Sequence, residues 1–359
     1  MLIALPIIAL LISFAILFSL SSPRYLPSTK ADAGKISIII PARDEEENIA
    51  NLLISIRDQS THPLETLVID DQSTDRTAEV ARKLGGTVIA GKEMPDGWKG
   101  KTWACQQGAE AATGDWLLYL DADITLQKDS LEKLAALTAH KATHSICPYH
   151  KVRRPYEQFS AFFNTITLAG VDAFAATPSP QSTLFGQVLL IHRDHYQEAG
   201  GHEAVKEEIL ENFQLAQRLK AQDIDVHLYL GKGTVEMRMF PHGLAQLANS
   251  WKKGFLAGAA QSPKRALLTT SLWLSGGMIL LVCFNLFGYG DSNFQTATLL
   301  CSLGYGLLSF FCFRLAGNFS VLTALFFPIP LLFYQFLFFK ALFDQKKGVK
   351  ATWKGRTID

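Results

Sequence analysis

Hydrophobic positions along this chain change their spacing twice, and each change marks a different kind of structure. Residues 1–20 carry no charge and are almost wholly apolar, enough to cross a hydrocarbon core of about 30 Å as one helix. From 35 to 147, short runs rich in β-branched residues alternate with amphipathic stretches, the pattern of βαβ units and a parallel sheet. The spacing predicts strands at 36–40, Glu65–Asp70, Thr87–Ala90, Trp116–Leu120 and Thr143–Cys147. Between them fall a helix over 45–58, with Ile49, Leu52, Leu53 and Ile56 on one face, and another over 101–112. A basic stretch with Lys151, Arg153 and Arg154 then leads into a Phe-rich helix reaching Phe174, read as buried or as lying at a bilayer interface. A loop at 177–182, a strand at 184–191 and a helix opening within 207–216 complete this part.

The last third returns to long apolar runs. Segments 266–289 and 294–315 are each long enough to span, and the short acidic link 290–293 makes them a hairpin. A third run, 319–343, contains Pro328 and Pro330 and precedes a tail with Lys346, Lys347, Lys350, Lys354 and Arg356. The division expected is an N-terminal anchor (1–22), a catalytic domain with interfacial helices (23–262), C-terminal transmembrane helices (263–345) and a basic cytoplasmic tail (346–359). Arg24, Lys30 and Lys35 after the first run place the catalytic domain in the cytoplasm of a multi-pass cell-membrane protein. Three full spans after it would put the basic tail outside, so the Pro-interrupted run is expected to be broken or re-entrant, or the first segment unusual. Four plain spans with an external tail are the alternative.

Composition narrows the partners. Lys and Arg number 34 against 33 Asp and Glu, and no basic stripe interleaved with aromatics appears, which excludes nucleic acid. The 24 Phe and 48% hydrophobic content, concentrated at the two ends, point to membrane lipid. The five cysteines form no C-x-x-C pair and read as small buried hydrophobes in a reducing compartment.

The chemistry is expected beyond the carboxyl ends of the strands, where ligands of parallel sheets bind. The first strand ends in Pro41-Ala42-Arg43-Asp44-Glu45-Glu46, the second in Asp70-Asp71-Gln72-Ser73-Thr74-Asp75, and the fourth in Asp121-Ala122-Asp123. Each has a helix-capping role available, with Ser73 or Thr74 as an N-cap. Three acidic loops on one edge repel one another unless a cation sits among them, which favours a metal-bound nucleotide. Asp121 and Asp123, one residue apart at a strand end, offer hard oxygen ligands to a divalent cation on a diphosphate. Lys101, opening a helix after Gly100, either meets that diphosphate or is an ordinary solvated lysine.

The strings IIIPARDEE, VIDDQSTD, GKTWACQQG and LDADI, in that order and spacing, resemble family 2 glycosyltransferases of the GT-A fold. The likeness extends through 145–150, Gly200-Gly201-His202 and Trp353-Lys354-Gly355-Arg356. It implies an α/β, Rossmann-like, mostly parallel catalytic domain with N-terminal and C-terminal transmembrane helices. Pro41, Ala42, Arg43 and Glu45 would line the nucleoside pocket, Asp71 would take the uracil, Asp121 the ribose side, and Asp121 and Asp123 a Mg2+ or Mn2+, with Lys101 assisting. The implied activity is inverting transfer of a sugar, glucose for preference, from a UDP-sugar to a lipophilic acceptor from the bilayer. The best match is the carboxylate of a carotenoid acid of the staphyloxanthin type. A hydroxylated lipid such as a hopanoid or glycerolipid, or a nucleotidyltransferase reaction, stands as the alternative.

One departure from the family pattern bears on the acceptor. The family places Glu-Asp at the start of a helix, the Asp as general base; here the pair is Glu211-Asn212. An amide accepts no proton, so either Glu211 serves or no strong base is needed. A carboxylic acid acceptor, with an ordinary pKa of about 4, arrives already ionised. Gln246 to Lys253 stands where the family has Q-x-x-R-W but lacks its Arg. By the resemblance, His150, Arg238, Gln246, Trp251 and Lys252 border the acceptor or the diphosphate.

Overall fold

The computed structural model describes residues 2–178, 183–208, 211–346, 351–353 and 356–358. Its contacts divide the chain into two compact units, Arg24–His150 with Thr183–Arg238, and Met1–Pro23 with Lys151–Ser182 and Met239–Asp359. Residues 151–182 and 239–262, read from sequence with the catalytic part, thus belong by contact to the unit that holds the apolar ends.

The first of these is built on a seven-stranded sheet. Its strands are β1 (Ile36–Ala42), β2 (Glu65–Asp70), β3 (Thr87–Ala90), β4 (Trp116–Leu120), β6 (Thr143–Cys147), β8 (Val188–His192) and β9 (Val226–Leu230). Their order is β3-β2-β1-β4-β8-β6-β9, every pairing parallel except those made by β8, which runs antiparallel to both β4 and β6. β4 is buried at all five positions, as a strand covered on both faces must be, and its apolar run WLLYL follows from that. Three short strands, β5 (Ile124–Leu126), β7 (Tyr149–His150) and β10 (Val235–Met237), form a second sheet in the order β5-β10-β7.

Helices α3 (Glu46–Arg57), α4 (Thr77–Lys83), α5 (Gly100–Ala111), α6 (Ser130–Ala136), α8 (Arg193–Glu198) and α9 (Glu211–Ala221) complete this unit. On one face Ile39, Ile69, Leu117, Tyr119 and Leu189 pack with Cys105, Leu215 and Leu219 in one apolar core. α5 approaches β1 through Gly108, where a Cβ would overlap Ile39 Cγ2. The expected strands appear, with two shifts. β1 runs on to Ala42 because β2 continues beside it, in register to Ala42 and Asp70. The strand expected at 184–191 begins only at Val188. Phe185 before it is tied instead to a side chain, its N donating to Ser145 Oγ and its O accepting from the same hydroxyl, both at 2.8 Å.

The second unit is helical, apart from the short antiparallel pair β11 (Ala351–Trp353) and β12 (Arg356–Ile358). Its helices are α1 (Ala4–Ser13), α2 (Ile16–Leu20), α7 (Ala161–Gly170), α10 (Leu244–Gln261), α11 (Lys264–Asn285), α12 (Ser292–Ala316), α13 (Val321–Leu325) and α14 (Pro328–Lys346). The N-terminal run, expected as one spanning helix, is a shorter apolar helix over Ala4–Leu20 whose hydrogen bonding loosens at Phe14-Ala15, between α1 and α2. Ser13 Oγ donates back to Ala9 O at 2.7 Å in the last turn of α1, the back-bonding that bends a helix. That turn also lies against Gly276 of α11, where a Cβ would meet Ser13 Oγ and Ala9 O. α11 and α12 are long and apolar enough to cross a membrane. The Pro-containing run is broken as expected, α13 ending before Pro328 opens α14; Pro at the first helical position costs no hydrogen bond. Half of the basic tail, with Lys347, Lys350 and Lys354, and residues 179–182 of the expected loop lie outside the described residues.

Candidate active site

The loops after β1 and β2 are stitched to each other, and this corrects the expected caps. Neither Ser73 nor Thr74 caps α4. Arg76 stands at the N-cap without a side-chain cap, and the residue before it, Asp75, accepts from Thr77 N through Oδ1 at 2.9 Å. Ser73 Oγ instead accepts from Asp44 N at 3.0 Å, Thr77 Oγ1 from Glu45 N at 2.8 Å, and Asp75 Oδ2 from Glu46 N at 3.1 Å. In return Asp44 Oδ1 accepts from Thr74 N at 2.8 Å and Glu46 Oε2 from Arg76 N at 3.1 Å. Each loop therefore satisfies orphan amides at the start of the other's helix. Asp44 and Gln72 take the positive φ that this needs, +50° and +57°; short polar side chains tolerate that region.

This stitching presents the groups expected to hold a nucleoside. Asp71 is 5% exposed, and its N donates to Ala42 O at 2.8 Å. Arg43 Nη1 reaches Asp71 O at 3.0 Å and Asp71 Oδ2 at 3.5 Å. Pro41 and Ala42, the last β1 residues, lie in register with Ile69 and Asp70. Arg43 is thus turned onto Asp71, fixing the carboxylate, where the sequence had placed both among the donor contacts.

The second cluster forms after β4. Asp121-Ala122-Asp123 is a turn between β4 and β5, closed by Ile124 N donating to Asp121 O at 3.1 Å. Lys101 Nζ lies 2.5 Å from Asp121 Oδ1 and donates to Gly186 O at 3.3 Å, so Lys101 is not a solvated surface lysine. Burial works against its charge, but the Asp121 and Glu211 carboxylates outweigh burial and hold the ammonium above its ordinary range. Asp123 feels the same Lys101 charge only as a lesser, opposing influence. Burial, then the Asp121 and Glu45 carboxylates, push it up to about 7. Glu45, expected among the donor contacts, is therefore brought beside the acidic turn, and its Oε2 accepts from Asn48 Nδ2 at 2.7 Å.

Glu211 and Asn212 open α9 at the same place. Burial raises Glu211, and Lys101 opposes the rise. Asn212 Nδ2 donates to Glu211 Oε1 at 3.3 Å, and the amide lies so close to Gly186 that any Cβ there would overlap it. Gly186 thus serves two functions: its carbonyl takes Lys101, and its missing side chain admits Asn212.

The residues that sequence reasoning missed lie behind this cluster. Gly186 carries no signal in a single sequence. Tyr196 OH donates to Gln106 Oε1 at 3.0 Å, lies 2.9 Å from His202 Nδ1, and accepts from His202 N at 3.0 Å. Burial pushes the His202 imidazole down to about 3, Lys101 adding to it, so it is neutral. Cys105, one turn along α5 from Lys101, is buried, and burial pushes its thiol far up. The turn Gly200-Gly201-His202 did signal the network, since Gly200 and Gly201 have φ of +81° and +56°.

The remaining expected residues separate. His150 lies on β7 beside Met237 of β10, and burial pushes its imidazole down to about 4. β10 also pairs Met237 with Ile124 of β5, and Arg238 follows directly after the end of β10. Gln246, Trp251 and Lys252 belong to the helical unit. There Gln246 Oε1 accepts from His242 N at 3.0 Å, and Trp251 stacks on Phe163 with centroids 4.8 Å apart while its Nε1 donates to Ser160 Oγ at 3.3 Å. Lys252 Nζ sits 3.6 Å from Asp344 Oδ2. Its charge is thus committed to that carboxylate.

A mostly parallel sheet with one antiparallel strand carries acidic turns after β1, β2 and β4, and the chain belongs to glycosyltransferase family 2. The model of Glycosyl transferase family 2 matches residues 37–161, and that of Glycosyl transferase family group 2 matches residues 116–338. Among curated proteins, the chain is similar to 4,4'-diaponeurosporenoate glycosyltransferase of Staphylococcus aureus (strain USA300). The two are 34% identical over 330 residues, 89% of this chain and 87% of the relative. Among solved structures it is similar to the mannosyltransferase PcManGT from Pyrobaculum calidifontis in complex with GDP-Man and Mn2+. The TM-score is 0.51 at 18% identity, with 92% of this chain and 98% of that one covered, a likeness of fold, which is GT-A-like.

Proposed function

We propose that the protein is a membrane-bound, inverting glycosyltransferase that moves glucose from UDP-glucose to the carboxylate of a carotenoid acid, giving a glucosyl ester. The observation that carries this reading is the amide of Asn212, set against Gly186 where Lys101, Asp121 and Glu211 meet. The curated relative, whose name specifies a carotenoid acid, supports the acceptor class.

A divalent ion fits the donor set. Asp121 and Asp123 supply hard oxygens, and the Asp123 carboxyl is held up first by burial and then by the Asp121 and Glu45 carboxylates that a cation would offset. Among the described residues no three His, Cys, Asp or Glu side chains form a ready cage, and Mg2+ or Mn2+ held by one or two carboxylates with phosphate oxygens needs none. When bound, the ion would neutralise charge building on the departing diphosphate.

The chain's own residues do the rest. The stitched loops hold Asp71, through Arg43, for the uracil. Lys101, its charge kept by Asp121 and Glu211, places a fixed positive group where the leaving diphosphate gains charge. Asn212 orients without taking a proton, which suits an acceptor oxygen that arrives ionised. α11 and α12, with Leu268, Val282, Leu299, Leu300, Leu303 and Leu307 exposed, would sit in the bilayer from which the acceptor enters. Arg24, Lys30 and Lys35 favour a cytoplasmic catalytic unit.

A second reading has its own support: burial raises Glu211, and a raised carboxylate is the better general base for a hydroxylated lipid. UDP release by the purified protein separates the two. With Mn2+ and UDP-glucose, release is expected with the free acid of a carotenoid and not with its methyl ester or the corresponding alcohol. Equal release with the alcohol would overturn the ester reading, and no release with any acceptor would overturn the transfer itself.

A further inference from the structure

The loop before α5 and the segment before α9 are fastened together by an aromatic ring that the site chemistry does not use. The chain turns at Gly97, whose φ of +80° favours glycine. The Trp98 ring then packs on Trp103 of α5, centroids 4.9 Å apart and tilted 58°. On the segment before α9, the Lys206 ammonium stands 5.9 Å from the centroid of Trp98. Gly97 meets the same segment, since a Cβ there would come to 3.2 Å from Glu207 Oε1. Trp103 is itself anchored: its Nε1 donates to Lys92 O at 3.1 Å, and Lys92 N donates to Gln107 Oε1 at 2.8 Å. One side of the clasp therefore continues, within three residues, into Lys101. The other side runs from His202, which Tyr196 holds, toward Glu211 and Asn212.

We propose that Trp98, gripped between Trp103 and Lys206, is a positioning residue that fixes the spacing between the Lys101–Asp121 pair and the Glu211–Asn212 pair. The proposal rests on the reading of this site as one for nucleotide-sugar transfer. Its physical basis is that the two pairs come from different elements yet meet at Gly186, whose carbonyl takes Lys101 and whose missing side chain admits Asn212, so their spacing must be held. Trp gives a cation the strongest aromatic face of any side chain, and a ring braced on one side by Trp103 can hold Lys206 on the other without moving. Small errors in such spacing cost rate far more than binding.

The test uses the full-length protein with four variants, Trp98→Leu, Lys206→Met, Lys206→Arg and the Trp98→Leu/Lys206→Met double. Trp98→Leu and Lys206→Met are each expected to lower kcat about tenfold while the KM for UDP-glucose moves less than about twofold. The double variant should be no worse than Trp98→Leu, and Lys206→Arg should restore most of the rate. Without donor, hydrogen exchange in residues 94–103 and 202–208 should rise together in Trp98→Leu and in Lys206→Met. Exchange rising in one segment only overturns the clasp whether or not the wild type turns over. A kcat within twofold of wild type, or additive losses with no rescue by Lys206→Arg, overturns its part in positioning. A wild type that transfers no sugar from any nucleotide sugar sinks the proposed function alone.

Discussion

An amide at position 212 can orient an oxygen but cannot relieve it of a proton, and the acceptor chemistry turns on that difference. If the acceptor is a carboxylate, Asn212→Asp should leave kcat unchanged within about twofold or lower it, because a second charge beside Glu211 repels an incoming anion. A gain on the order of 10²-fold would mean that a hydroxyl is being deprotonated. Asp121→Ala and Asp123→Ala should each abolish transfer and metal-dependent UDP binding in a folded protein, measured by calorimetry with Mn2+; normal binding in both would remove the metal from these residues. Asp71→Ala should raise the KM for UDP-glucose with kcat little changed, since the role proposed for Asp71 is to hold the uracil and not to act at the reacting bond. His144 belongs to the same scale. It is 2% exposed, stacked on His227 at 5.7 Å and beside Trp116, and burial, then His227, holds it down to about 4. Because its folded value lies below the unfolded one of about 6.5, stability is full above that pH and is lost as pH falls toward 4, when the unfolded state takes the proton first. The melting temperature should fall between pH 7.5 and pH 5, and fall less in His144→Phe.

At the scale of elements, the strands and most helices of the sheet unit were legible because burial leaves an apolar signature, as in WLLYL of β4. Local sequence could not show the cross-capping of the loops after β1 and β2. Ser73 accepts from the amide of Asp44, about 29 residues away in the chain and just before α3, and periodicity says nothing about such pairs. Of the residues expected from sequence, the structure brings Lys101, Asp121 and Glu211 together, and these were legible because each carries a charge at a strand or helix end. Gly186 was not, because its importance lies in what it leaves out. Gly186→Ala would force a Cβ into the Asn212 amide, and should cost at least tenfold in kcat while the sheet unit stays folded. Gly108→Ala drives α5 against Ile39 and should instead destabilise, by about 1–3 kcal/mol, read as a lower melting temperature with the KM for donor unchanged. The opposite pattern in either variant would contradict the placement of α5 and the 184–187 segment. The helix expected over 1–20 appears as the apolar run Ala4–Leu20, loosened at Phe14-Ala15; hydropathy counts apolar residues and does not show that its first part lies against Gly276.

At the scale of the whole molecule, an enzyme of family 2 carries α11 and α12, two helices long and apolar enough to cross a membrane, and the proposed acceptor is one that dissolves in a bilayer. The account stands on the product of that combination. Membranes containing the protein, supplied with labelled UDP-glucose, Mn2+ and a carotenoid acid, should yield one labelled lipid whose mass equals acid plus hexose less water, and mild alkali should release the label completely. A labelled lipid that survives alkali would be a glycoside on a hydroxyl, and would contradict the carboxylate acceptor and the role given to Asn212.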